Sequence, residues 1–110
     1  MSFSLCYYDN VNTGMSMQFE WDSAKDAINQ IKHRVAFEVA ERVWNDPDHL
    51  ILFDRFENGE ERWHAIGLVK GVVILTVVHA YPEPDDATIR IVSARRATKV
   101  ERRRYETQND

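Results

Sequence analysis

The sequence predicts a single α+β domain in which helices pack on an antiparallel sheet of four to five strands, in the order β-αα-ββββ-α. Three observations carry this expectation. Two segments of helical period lie within residues 22–44, four strand-length runs separated by turn formers lie within 50–94, and an arginine-rich helical segment follows Thr98. Strands in short succession pair antiparallel, and the helices then bury their apolar stripes against the sheet.

Residues 1–16 show no clear period and carry the turn formers Asp9, Asn10, Asn12 and Gly14. They read as a leader, either mobile or laid onto a domain spanning 17–110. Gln18 to Trp21 is a short strand with Phe19 and Trp21 on one face. Asp22 and Ser23 can accept from the free amides of a helix start. Ala24, Ala27, Ile28 and Ile31 then recur at helical spacing as the expected core face, with Lys25, Asn29, Gln30 and Lys32 outward. This first helix should stop near His33.

A second helix, Phe37 to Trp44, has Ala36, Val39, Ala40 and Val43 on one stripe, and Pro47 disfavours helical backbone at Asp46. Leu50 to Phe56 and Arg62 to Val69 alternate, with turns at Asn58-Gly59 and Lys70-Gly71. Val72 to Tyr81 is nearly continuously apolar, as a central strand would be. A stiff loop with two prolines leads to a last strand, Thr88 to Ala94, and Thr98 with Glu101 has capping-box spacing for a terminal helix.

Composition narrows the class. A 44% hydrophobic and 11% aromatic content is that of a folded globule. One cysteine, Cys6, excludes an intrachain disulfide and a thiolate metal site. No apolar run is long enough to span a bilayer, and the N-terminus lacks the basic region of a signal peptide. These features lead us to expect a soluble cytoplasmic protein with no membrane partner.

Charge is unevenly distributed. Residues 87–104 hold seven basic residues and one acidic residue, a net of +6; the whole chain is at −4, so the remainder carries −10. Arginine is used for six of the seven. Its fork makes paired phosphate contacts that an ammonium cannot, so this segment points to a polyanion.

The expected chemistry follows from strand pairing. Arg62 and His64 share a strand face, and a short turn at Lys70-Gly71 would bring them opposite the far end of the next strand, near His79. Arg90 or Arg95 of the last strand would add a guanidinium. One imidazole with several guanidiniums suits attack of an RNA 2′-hydroxyl on its own phosphate, with no metal or cofactor required. Each residue also has a structural explanation: His79 as a core-edge histidine, and His64 as an ordinary strand residue. His49 beside Asp46 and Asp48 fits turn chemistry, and Lys32 with His33 complements a helix dipole.

Several motifs together resemble the BrnT family. They are Phe19-Glu20-Trp21-Asp22 with Lys25, Lys32-His33, Val35 to Glu38, Asp46-Pro47, and Glu61-Arg62 with Ile66-Gly67. Further along come Val77-Val78-His79, then Arg90 to Thr98, Glu101 to Arg103, and Tyr105-Glu106. These are ribonuclease toxins of type II toxin–antitoxin systems with a RelE-like fold, and the resemblance runs from about residue 17 to 106. It implies metal-independent RNA cleavage that inhibits translation. It also implies a BrnA-like antitoxin that covers the basic face and supplies operator DNA binding. By position it assigns Arg62 and Arg95 to phosphate or transition-state stabilisation, His79 to proton transfer, and Lys32 and His33 to substrate contacts. Arg90, Arg96, Lys99 and Arg103 are the further RNA-binding candidates.

Three departures stand out, the first being that residues 1–16 have no counterpart in the family pattern. Arg34 replaces a frequent glycine, at a cost of roughly 1 kcal/mol if the helix ends left-handed there. Ala80-Tyr81-Pro82 removes a basic residue after His79. The competing readings are a catalytically degenerate toxin that only binds its partner, and a plain nucleic-acid-binding protein. The latter is disfavoured by the net negative charge and by the lack of a recognisable DNA- or RNA-reading motif.

Overall fold

The structure, a computed structural model, describes residues 3–10, 15–82 and 87–108, with side chains from Met17 onward. Its strands are β1 (Phe3–Asn10), β2 (Met15–Asp22), β3 (Leu50–Glu57), β4 (Glu60–Val69), β5 (Val73–Ala80) and β6 (Thr88–Arg96). The helices are α1 (Ser23–His33), α2 (Phe37–Ala40) and α3 (Lys99–Thr107). One six-stranded sheet has the order β1-β2-β6-β5-β4-β3. It is α+β as expected but mixed rather than purely antiparallel, because β2 and β6 run parallel. The sixth strand is β1, paired along β2 from Phe3 opposite Asp22 to Asn10 opposite Met15. Part of the stiff loop, residues 83–86, lies outside the described residues.

The turns show why register matters. Asn58 and Gly59 both have positive φ, 54° and 75°, as a two-residue hairpin turn requires, so Glu57 stands opposite Glu60. A two-residue turn at Lys70-Gly71 would pair Val69 with Val72 and therefore Arg62 with His79. The connection instead includes Val72, so Val69 pairs with Val73 and His79 with Trp63. One residue of slip turns every side chain of a strand to the other face.

Helix α1 is capped by the Asp22 carboxylate, which accepts from Ala24 N at 2.8 Å. It ends at Arg34, which is left-handed at φ 62°, with its N–H donating to Gln30 O. Arg34→Gly is therefore expected to raise stability by about 1 kcal/mol, read as a higher urea midpoint at unchanged slope. A loss of stability would mean that the Arg34 side chain does more than tolerate the turn.

The apolar stripe of α1 faces the opposite way from the sequence reading. Ile28 and Ile31 are 62% and 81% exposed, whereas Asn29 is buried. The cause lies in β6. Strand β2 pairs with it only from Thr88 to Arg90 and then turns into α1, which leaves the edge of Ala94 unpaired. Asn29 takes that edge: its amide nitrogen donates to Ala94 O and Val35 O at 2.8 Å, and its oxygen accepts from Ala94 N at 3.1 Å. Satisfying buried backbone outweighs exposing two isoleucines.

The second helical segment is also shorter than expected. It is regular only from Phe37 to Ala40 and tightens into a 3-10 turn over Glu41–Asn45. Phe37, Val43 and Trp44 still bury against Phe19, Val77, Ile89 and Ile91 on one sheet face. Gly67 permits this close approach, since a Cβ there would lie 2.9 Å from Val43 Cγ1. The other face carries α3, started by the expected capping box of Thr98 and Glu101.

Candidate ribonuclease site

Cross-strand partners share a sheet face. Because Thr76 pairs with both Ile66 and Arg95, and Ala80 with Arg90, the α3 face carries Arg62, His64, Arg90 and Arg95. These residues are brought together on one face, although not in one pocket. Arg62 and Arg90 line a cleft of about 120 Å³ with Lys25 of α1, Asp22 and Glu60. Glu60 bridges the two guanidiniums, at 3.2 Å from Arg62 Nε and 3.7 Å from Arg90 Nη1. Glu57 adds to Arg62 at 3.5 Å, and Glu20 to Arg90 at 3.3 Å. Arg62 Nε is buried and makes no aligned hydrogen bond, with the Glu60 carboxylate 3.2 Å away.

Further along the same face, Arg95 forks onto Glu101 with bonds of 2.7 and 3.0 Å. Glu101 also accepts from Thr76 Oγ1 at 3.0 Å and from Thr98 N at 2.8 Å, so a single carboxylate pins α3 to the sheet. Burial alone would raise the Glu101 carboxyl. The Arg95 fork, the Thr98 amide and the Thr76 hydroxyl outweigh it and bring it to about 2. The same fork holds the Arg95 guanidinium above its ordinary value. His64 lies between these clusters, with Nε2 3.3 Å from Asp54 and Nδ1 3.9 Å from Glu101.

His79 is not part of this assembly, and the shared pocket expected for it does not form. The register places it on the helix-covered face, fully buried, edge-on to Trp44 and beside Tyr81. Its Nδ1 meets Val77 O at 3.2 Å and its Nε2 meets the Tyr81 hydroxyl at 3.1 Å. A neutral ring that donates to the carbonyl and accepts from the hydroxyl satisfies both contacts. Burial lowers its pKa from 6.5 to about 4.

A pH dependence follows. The unfolded chain binds this proton first, so stability is full above pH 6.5 and declines as pH falls from 6.5 towards 4, by on the order of 3 kcal/mol. Urea titrations at neutral pH and at about pH 5 should show the decline in the parent and a flatter profile in His79→Gln. Equal slopes in both proteins would remove His79 as the cause.

The remaining candidates are dispersed. Lys32 and Arg96 are exposed, and His33 is half-buried in the last turn of α1. Lys99 and Arg103 project from α3 into solvent. Asp46 serves the turn chemistry expected of it, accepting from Leu68 N, Asp48 N and the Tyr105 hydroxyl. Among the described residues no group of three or more His, Cys, Asp or Glu is arranged to hold a metal ion. No helix of the structure is long and apolar enough to cross a membrane. The sequence reading gave neither Lys25 nor His64 a role at the site and passed over Glu60. The alternation of β4 had already placed His64 beside Arg62.

Comparisons with known proteins agree with this architecture. Residues 21–101 match the model of a family described as the ribonuclease toxin BrnT of type II toxin–antitoxin systems. Among solved structures, the fold resembles the crystal structure of the Brucella abortus ribonuclease toxin BrnT at TM-score 0.53 and 23% identity, covering 72% of this chain and 94% of that one. Among curated proteins no match is found. The family match spans well over half of the sequence, and the chain belongs to the BrnT family of ribonuclease toxins of type II toxin–antitoxin systems.

Proposed function

We propose that this chain is a cytoplasmic toxin that inhibits translation by cutting RNA without a metal. A 2′-hydroxyl attacks the adjacent phosphorus and the 5′-oxygen leaves, which gives a 2′,3′-cyclic phosphate end. Arg62, Arg90 and Arg95 neutralise charge that grows on the phosphate oxygens. The imidazole on their face is His64, so proton transfer passes to it from His79. Asp54 orients the ring through Nε2, and Nδ1 is left to exchange the proton. Lys32 and His33 contact the substrate strand, and Arg96, Lys99 and Arg103 extend the cationic track along α3. A BrnA-like antitoxin neutralises the toxin, and operator DNA is reached only through that partner.

One observation carries this reading: three guanidiniums and one imidazole share the α3 face of the sheet, in a chain of a ribonuclease toxin family. A second observation favours the alternative of a catalytically silent, partner-binding toxin fold. Arg62, Arg90 and Arg95 each already lie beside a carboxylate. Incubating the purified chain with short RNA in EDTA separates the two readings. Products bearing 2′,3′-cyclic phosphate support catalysis, and intact RNA at high protein concentration supports the silent module.

A further inference from the structure

Among the described residues, a second concavity, larger than the arginine-lined cleft, is not on the cationic face. A groove of about 920 Å³ opens on the opposite side of the sheet, lined by Trp44, Ile51, Phe56, Trp63 and Tyr81 among others. Aromatic contacts run without a break from its rim to the core. Phe56 meets Phe53, Phe53 meets Trp63 at 5.4 Å, Trp63 meets Tyr81, and His79 leads on to Trp44 at 4.9 Å. Phe53 and Phe56 are 52% and 65% exposed, and Ile51 is 36% exposed. Clustered exposed aromatics of this kind mark protein-binding surfaces rather than ordinary solvent-facing sheet.

Charge selects the occupant. Glu61, exposed and on the aromatic face of β4, is among the lining residues, and no lysine or arginine is; Glu60 also borders the groove, but its carboxylate lies against Arg62 and Arg90. Such a wall repels a nucleic-acid backbone and favours guanidinium or ammonium groups, which can also stack on the exposed rings. The groove is bounded by β3, the last strand of the sheet among the described residues, so its outer edge is open to an added strand.

We propose that this groove binds an extended segment of a partner protein carrying a large apolar anchor flanked by arginine or lysine. The two faces of the sheet then divide the work, with polyanion on the α3 side and a basic apolar peptide on the aromatic side. In the proposed function this segment belongs to the antitoxin and anchors it here while another part of the antitoxin covers the α3 face; only that identity rests on the toxin reading.

The test uses the full chain and two synthetic peptides, each with alternating leucines and a central phenylalanine. One carries arginine at the remaining positions and the other glutamate. Tryptophan fluorescence reports on Trp44 and Trp63, and calorimetry gives the affinity. The arginine peptide is expected to bind, the glutamate peptide is not, and Phe56→Ala and Glu61→Lys should each weaken binding about tenfold or more. Both substituted side chains are exposed, so the fold should persist.

A labelled 2′-O-methyl RNA should remain bound when the arginine peptide saturates the groove. Equal affinity for both peptides, indifference to both variants, or displacement of the RNA would overturn the proposal. So would a self-associated chain that Phe56→Ala converts to monomer, because the occupant would then be a second copy. Cleavage is measured on the same samples. Peptide binding with intact RNA would refute the enzyme and leave the groove standing.

Discussion

Arg62→Ala and Arg95→Ala are each expected to lower RNA cleavage by about a hundredfold or more, the scale on which removing one charge-stabilising donor acts in other enzymes. The two should differ in their side effects. Arg62 sits in the cleft beside Glu60 and Glu57, so its loss frees those carboxylates to repel phosphate, and RNA affinity should fall with rate. Arg95 also holds Glu101, and through it the start of α3. Its alanine variant should therefore melt earlier as well.

Arg95→Lys separates the two roles of that residue. It keeps a charge beside Glu101 but loses the fork, so stability should recover more than cleavage does. Single-turnover rates and melting curves on the three variants check this. Full cleavage by both alanine variants would remove these guanidiniums from the reaction.

The largest expected stability effect comes from a residue far from any chemistry. Asn29→Ala should cost about 3 kcal/mol, because it strands a buried N–H and C=O of Ala94 together with Val35 O. For a domain of this size that is roughly 10 °C or more in Tm. Asn29→Asp tests the mechanism, since a carboxylate can accept from Ala94 N but cannot donate to either carbonyl. It should recover little. A melting temperature unchanged in the alanine variant would show that water or a shifted helix satisfies the edge of β6.

Local chemistry was readable wherever a residue acts on its own neighbours. Asp22 at a helix start, Thr98 with Glu101 and the Asn58-Gly59 turn all behave as their types dictate. Asp46 and His49 likewise proved to be turn chemistry, with His49 Nδ1 against Asp46 O. The failures share a different origin, which is that the deciding partner lies far along the chain. Asn29 looked like an outward polar residue because Ala94, sixty-five positions away, supplies its bonds. The stripe of α1 was read in the wrong direction as a result.

The candidate site was half legible for the same reason. Alternation along β4 placed Arg62 with His64, and the arginines of the last strand joined them. His79 was assigned to that face on the assumption of a two-residue turn, and the third residue, Val72, reversed it. β1 was missed although it pairs with its neighbour in sequence, β2, from Asn10 opposite Met15, because Asp9, Asn10, Asn12 and Gly14 were read as marking an irregular leader. The strict alternation of Met15, Met17, Phe19 and Trp21 did extend β2 three residues further back than the sequence reading allowed.

The most direct check on the central claim is where RNA sits. Binding a short 2′-O-methyl RNA, which cannot be cut, to the isotopically labelled chain and mapping amide shift changes by NMR locates it. The changes should concentrate at Arg62, His64, Arg90 and Arg95 and leave Trp63, Tyr81 and Phe56 undisturbed. Changes confined to the aromatic side, with the guanidinium face silent, would contradict the account.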